Sequence, residues 1–307
     1  MSSLPKDVTL ASGFTSTKHS KPSQALDPRH NTLPNALNVL VIGASRGIGA
    51  GIACAYAQAG AASLILAARP SSAEEIAAVT QQAKALNPSV SVKSLPVDIT
   101  SNQSVAQLAT SVREEFGRLD IVIFNSGYSG PVVLKMDEGN PQDFQDVFNI
   151  NIQGAYLIAH HFIPLLKESH GAKTFIAINS FASCIINGHI ANTAYCISKF
   201  AQARLVEFLS EQYSKDGILA IASDLVSLLL LFFLDYSDRV DLTDDVSLCG
   251  AFCVWLSHEK RMWLGGRLLG ATWDIDELLQ KKFEIESQDL LKFGYKVGNV
   301  SAAGQGT

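Results

Sequence analysis

No apolar run in this chain is long enough to cross a bilayer. The most apolar window, Ser223–Asp235 (SDLVSLLLLFFLD), is interrupted by Ser227 and holds at most ten residues between charges. A spanning helix needs roughly 20, so no membrane span is expected and the window reads as a buried element or an interfacial patch. The opening MSSLPKDVTLASG has no apolar core, so no secretory signal is expected. Asp7 and Asp27 make the leader a poor transit peptide, and a cytoplasmic location is the default expectation. Basic runs are missing too. Lys and Arg number 24 against 29 Asp and Glu, a net charge of −5 with both signs scattered, which argues against nucleic acid as a partner. Cysteine is scarce. Cys54, Cys184, Cys196, Cys249 and Cys253 form no metal or redox spacing, so buried small residues in a reducing compartment are expected, with no metal site.

The 307 residues are 47% hydrophobic and 17% charged, a globular composition able to bury a sizeable core without staples. Residues 1–37 are polar, dotted with Pro and without periodicity, and read as an extended arm. From Asn38 onward short apolar runs alternate with helical segments. Strands are expected at 38–43, 63–69, 91–98, 119–127, 172–180, 218–226 and 265–271. Helices are expected at 47–60, 71–86, 101–117, 141–168 (bent near Pro164), 193–217 and 244–259. Such alternation predicts βαβ units and a parallel sheet covered on both faces. The expectation is an α/β fold, one doubly wound Rossmann domain over 38–307.

GASRGIG, Gly43 to Gly49, lies where the first strand hands over to the first helix. Gly43 suits a tight turn, Gly47 a close approach of backbone to a pyrophosphate, and Gly49 close packing of helix on strand. Ser45, Arg46 and Ile48 complete the turn, and the helix N-terminus offers N–H donors to phosphates. The second strand ends LAAR, with no carboxylate for a ribose 2′-hydroxyl. Arg69 and Arg46 can instead fork onto a 2′-phosphate, so NADP(H) is expected over NAD(H). Asp98, after the third strand, either bonds the adenine amino group or caps the next helix.

YCISK places Tyr195 and Lys199 four apart, on one helical face. An ammonium beside a phenol favours phenolate and draws its pKa down from about 10, which fits proton transfer at a carbonyl or alcohol.

These pieces, with NSG (125–127), NINIQG (149–154) and INSFAS (178–183), resemble a classical short-chain dehydrogenase/reductase (SDR) over nearly the whole chain. The segments at 14–28 and 265–279 resemble a filamentous-fungal branch of that family. The resemblance implies that Tyr195 is the general acid/base and that Lys199 lowers its pKa and holds the nicotinamide ribose. It implies that Asn151 anchors a water relaying protons to Lys199, and that Asn125 and Gly127 line the cofactor. A serine bonding the substrate carbonyl is implied at Ser180 or Ser183, with Ser180 preferred because it ends its strand directly. His160 and His161 read as structural, and His189 as a candidate pocket residue. A homodimer or homotetramer through the helices at 141–168 and 193–217 is also implied.

Two departures qualify the likeness. Ile42 stands where the family has a threonine that ties two loops together. Residues 225–234 replace the family's Pro-Gly and threonine, which shape the loop over the nicotinamide, with an apolar segment. Three readings follow: an NADP(H)-dependent reductase or dehydrogenase for a hydrophobic small molecule, in fungal secondary-metabolite chemistry; a nucleotide-binding relative with weak activity; or a dehydratase or isomerase on the same Tyr-Lys pair.

Overall fold

The computed structural model describes residues 6–34, 36–188, 191–224 and 245–294. Seven strands form one parallel sheet in the order β3-β2-β1-β4-β5-β6-β7. They are β1 (Asn38–Ile42), β2 (Ser63–Ala68), β3 (Ser91–Pro96), β4 (Ile121–Phe124), β5 (Thr174–Asn179), β6 (Leu219–Asp224) and β7 (Leu268–Gly270). The order reverses between β1 and β4, as in a doubly wound sheet. Every residue of β4, β5 and β6 is buried, which explains their unbroken apolar sequences. At the edge, β3 is mostly exposed and ends in Pro96, a residue an edge strand tolerates.

Helices cover both faces. On one face α2 (Gly47–Gln58) packs between α3 (Ala73–Leu86) and α8 (Val246–His258). Gly51 and Gly250 let α2 and α8 approach, since a Cβ at Gly250 would lie 2.6 Å from the Gly51 carbonyl oxygen. On the other face lie α4 (Asn102–Phe116), α5 (Pro141–Phe148), α6 (Gly154–Glu168) and α7 (Thr193–Tyr213). Ser101 caps α4 by accepting the Ser104 amide at 3.3 Å, and Gly117 ends it at φ +64°, the usual device for closing a helix.

Two expectations need correction. The helix expected to be broken or bent near Pro164 is not broken there, and Pro164 lies inside α6. The irregularity is a wide π-helical turn at Asn149–Gln153, between α5 and α6. The polar arm, expected to be extended, contains α1 (Lys6–Ser12). It is then strapped to the far end of the chain. Lys18 bridges Trp273 antiparallel, His19 N donates to Thr272 O at 2.8 Å, and Trp273 Nε1 donates to Ala11 O at 3.1 Å. Trp273 stacks between Phe14 and Phe181, at 5.0 and 5.8 Å. Two short helices, α9 (Ile275–Gln280) and α10 (Lys282–Ser287), follow. Among the described residues no helix is long and apolar enough to cross a membrane. The apolar segment at 225–234 and His189 lie outside the described residues.

Candidate active site

Because the strands are parallel, their C-terminal ends share one edge, and the expected site residues gather there. Gly43 leaves β1 at φ +82°, and a Cβ would lie 2.6 Å from Ser126 Oγ. A Cβ at Gly49 would fall inside the Gly43 carbonyl and 2.7 Å from Asn125 Nδ2. Gly47 begins α2 at φ +56°, and a Cβ there would meet no atom of the described residues within 4 Å. The three glycines therefore serve distinct needs: a turn, an open approach and close packing. At Ile42 the two turns are joined through the backbone. The Ile42 carbonyl accepts the Asn125 and Ser126 amides at 3.0 and 3.1 Å, and Asn125 Nδ2 donates to Gly43 O at 2.9 Å. These bonds join the turns after β1 and β4 without a hydroxyl.

The first turn of α2 carries no acidic residue. Arg46 and Arg69 are exposed and, among the described residues, form no ion pair. The open face at Gly47 and this donor set fit a nucleotide phosphate group. Asp98 is exposed, and its Oδ1 accepts the Thr100 amide and hydroxyl at 3.0 and 2.7 Å. It shapes the turn ahead of α4, whose cap is Ser101.

Gly127 links this region to the lysine. A Cβ there would lie 3.7 Å from both Asn151 Oδ1 and Lys199 Nζ. Asn151 is fully buried in the wide turn. Its Oδ1 accepts the Tyr128 amide, and its Nδ2 donates to Tyr128 O and Ser198 Oγ, all at 2.8 Å. The carboxamide thus holds the turn after β4 onto α7.

Tyr195 and Lys199 lie on α7, each only 2% exposed. Ser180 follows β5 and shares a hydrogen bond with the Tyr195 phenol. Ser183, the alternative serine, donates its hydroxyl to Ser180 O at 2.7 Å. Asn179, at the end of β5, accepts the Ser180 amide at 2.7 Å and donates to Lys199 O at 3.0 Å. It fixes serine and lysine relative to each other.

Burial pushes the Tyr195 phenol well above its ordinary value; the Ser180 hydrogen bond opposes this and the Asp224 charge adds to it. The Lys199 ammonium lies 5.7 Å from the ring centroid and donates to Ile178 O at 2.8 Å and Gln202 Oε1 at 3.3 Å. Burial lowers the lysine itself to about 7, with Asp224 opposing.

Asn179, Gln202 and Asp224 were missed in the sequence. Asn179 and Asp224 are polar residues closing apolar strands, and Gln202 follows Lys199 by three positions on one helix face. Those are the signals that could have revealed them.

The sheet reversal and the glycine turn define a nucleotide-binding α/β protein. The family described as short chain dehydrogenase matches residues 37–224, and the chain belongs to the short-chain dehydrogenase/reductase family of oxidoreductases. It is 37% identical over 294 residues to the short chain dehydrogenase pgmD of Aspergillus terreus, covering 91% of this chain and 93% of that one. It is 38% identical over 260 residues to the short chain dehydrogenase mpl6 of Monascus purpureus, covering 83% and 87%. These relatives place it in the filamentous-fungal branch. In fold it is similar to a short chain dehydrogenase of Shigella flexneri solved with NADP, with a TM-score of 0.69, 24% identity, and 78% of this chain and 99% of that one covered. A second, from Escherichia coli with NADPH, has a TM-score of 0.70, 24% identity and coverage of 78% and 98%.

Proposed function

We propose that this chain is an NADP(H)-dependent reductase or dehydrogenase acting on a carbonyl or alcohol of a hydrophobic small molecule. The observation that carries this reading is the convergence of Tyr195, Ser180, Lys199 and Asn151 beside the glycine turn. When bound, NADP(H) supplies or takes the hydride. Gly43, Ser45, Gly47, Ile48, Gly49, Asn125 and Gly127 would hold it, with Arg46 and Arg69 on the 2′-phosphate and Asp98 near the adenine. Complexes of fold neighbours with NADP and NADPH support the cofactor choice.

In this reading Ser180 donates to the carbonyl oxygen and polarises it. The Tyr195 phenol gives that oxygen its proton, or takes it in the reverse direction. A phenol raised by burial keeps its proton until charge develops on the oxygen, which favours the acid role. Lys199 holds the nicotinamide ribose, and Asn151 keeps the turn after β4 in place. The fungal relatives support a role in secondary-metabolite chemistry, and a cytoplasmic location belongs to the same reading.

Pairing of copies as a homodimer or homotetramer is part of the proposal. An apolar groove of about 570 Å³ between α5, α6 and α7, lined by Phe148, Ile152, Tyr156, Leu205 and Phe208, supports it.

A second reading, a nucleotide-binding relative that turns over poorly, is favoured by one observation: the Lys199 ammonium is engaged by Ile178 O and Gln202 Oε1. NADPH oxidation over a panel of apolar ketones separates the two. On the first reading wild type consumes NADPH, while Tyr195→Phe binds NADPH with the same Kd and loses about 10²–10⁴-fold in turnover. Equal turnover by both proteins would sink the mechanism. NADPH binding with no turnover by either supports the second reading.

A further inference from the structure

We propose that Gln202 is a positioning residue for Lys199: its side-chain amide spans from the lysine ammonium to the Asn151 carbonyl and so fixes where the ammonium sits. The consequence for catalysis rests on the reductase reading above; the geometry does not.

Gln202 is fully buried and makes three polar contacts. Its Oε1 accepts from Lys199 Nζ at 3.3 Å and from Asn179 Nδ2 at 3.0 Å. Its Nε2 donates to the Asn151 carbonyl at 3.1 Å. Only one orientation of the amide satisfies these partners. The reverse would turn an NH₂ toward an ammonium and an amide NH₂, and an oxygen toward a carbonyl. A glutamine buried without partners would be destabilising, and here each partner belongs to the site. Asn179 holds the Ser180 amide, Asn151 holds the turn after β4, and Gln202 joins both to Lys199 through one side chain.

One chemical consequence follows. The amide dipole presents its negative end to the ammonium. Together with Ile178 O it sets where the ammonium sits and how firmly it keeps its proton. Among the described residues, the other titratable groups facing Lys199 are Asp224 from β6 and Tyr195 from its own helix.

The test uses the full chain without cofactor, with lysines labelled with carbon-13 at Cε, and follows each resonance against pH. Lys199→Arg assigns the signal. The expected result is that Lys199 titrates well below the surface lysines. Gln202→Glu, which puts a carboxylate against the ammonium, raises that titration by about one pH unit or more, tenfold in proton affinity. Gln202→Met, which keeps the volume and removes the acceptor, lowers it. A positioning role also requires the basic limb of the NADPH turnover profile to move in the same direction as the resonance. Should one variant fail to fold, the other still decides the sign. An unchanged Lys199 titration in a folded variant overturns the proposal. The titration needs no turnover, so failure of the reductase reading leaves it intact and is recognised separately, by the lack of NADPH consumption in wild type.

Discussion

The Asp224 carboxylate accepts the Phe181 amide at 2.6 Å, so the last residue of β6 holds the residue that follows Ser180. Asp224→Ala leaves that buried amide without its acceptor, which costs about 1–3 kcal/mol. Asp224→Asn keeps an acceptor there and removes the charge. The alanine variant should lose several degrees in Tm and most of its turnover, and the asparagine variant much less stability. Asp224 pushes the Tyr195 phenol up and supports the Lys199 proton. In the asparagine variant both groups should therefore titrate lower, the phenol by tyrosinate absorbance. Equal melting temperatures for the two variants would refute this account of the serine turn.

The glycines allow a contrast. Gly49→Ala drives a methyl into the Gly43 carbonyl, so both stability and NADPH affinity should fall. Gly47→Ala meets no atom of the described residues within 4 Å and carries the left-handed backbone penalty of about 1–2 kcal/mol. Its Tm should fall by a few degrees, less than for Gly49→Ala, while NADPH affinity drops at least tenfold because the methyl occupies the face offered to the phosphates. Calorimetric titration beside thermal melts separates the two effects.

For Arg46 and Arg69, replacement by alanine should weaken NADPH binding about ten- to hundredfold each and leave NADH binding unchanged, as for loss of a charge-assisted bond worth about 1.5–3 kcal/mol. The ratio of the two Kd values is the measurement. An equal loss for both cofactors would assign the arginines to some other task.

Acid should release the arm. Glu277 accepts the Ser16 and Thr17 amides at 2.6 and 2.9 Å, and Asp274 meets His19 Nε2 at 2.9 Å. Thr17 and Ser16 hold the Glu277 carboxyl below its ordinary value, and His19 does the same for Asp274. A carboxyl depressed in the folded state stabilises it above the unfolded value, near 4. That contribution is lost as pH falls through the lowered folded values. Amide exchange at residues 15–19 should accelerate below about pH 4 while β4 and β5 stay protected. Glu277→Gln should begin the acceleration at higher pH.

The fold was legible because its determinants are local. Buried parallel strands read as apolar runs, Gly43 to Gly49 sit at a strand-to-helix junction, and Tyr195 and Lys199 share a helix face by spacing alone. What the sequence hid depends on distance and burial. The wide turn at Asn149–Gln153 has no local signature, whereas Pro164 advertises a bend that α6 absorbs. Asn179, Gln202 and Asp224 each look like one polar residue among apolar ones until the sheet brings them to Lys199 and Ser180. The direction of the Tyr195 shift could not be read from spacing either, because it is set chiefly by burial, which spacing does not show.

The strap joining residues 11–19 to 272–277 has a consequence for the order of events during synthesis. The arm emerges from the ribosome before any strand, yet its partners Trp273, Asp274 and Glu277 are made some 255–262 residues later. Closing so long a loop is slow. Each nascent chain must therefore keep its arm undocked until the seventh strand is in place, and docking is the step that tells a finished chain from an unfinished one.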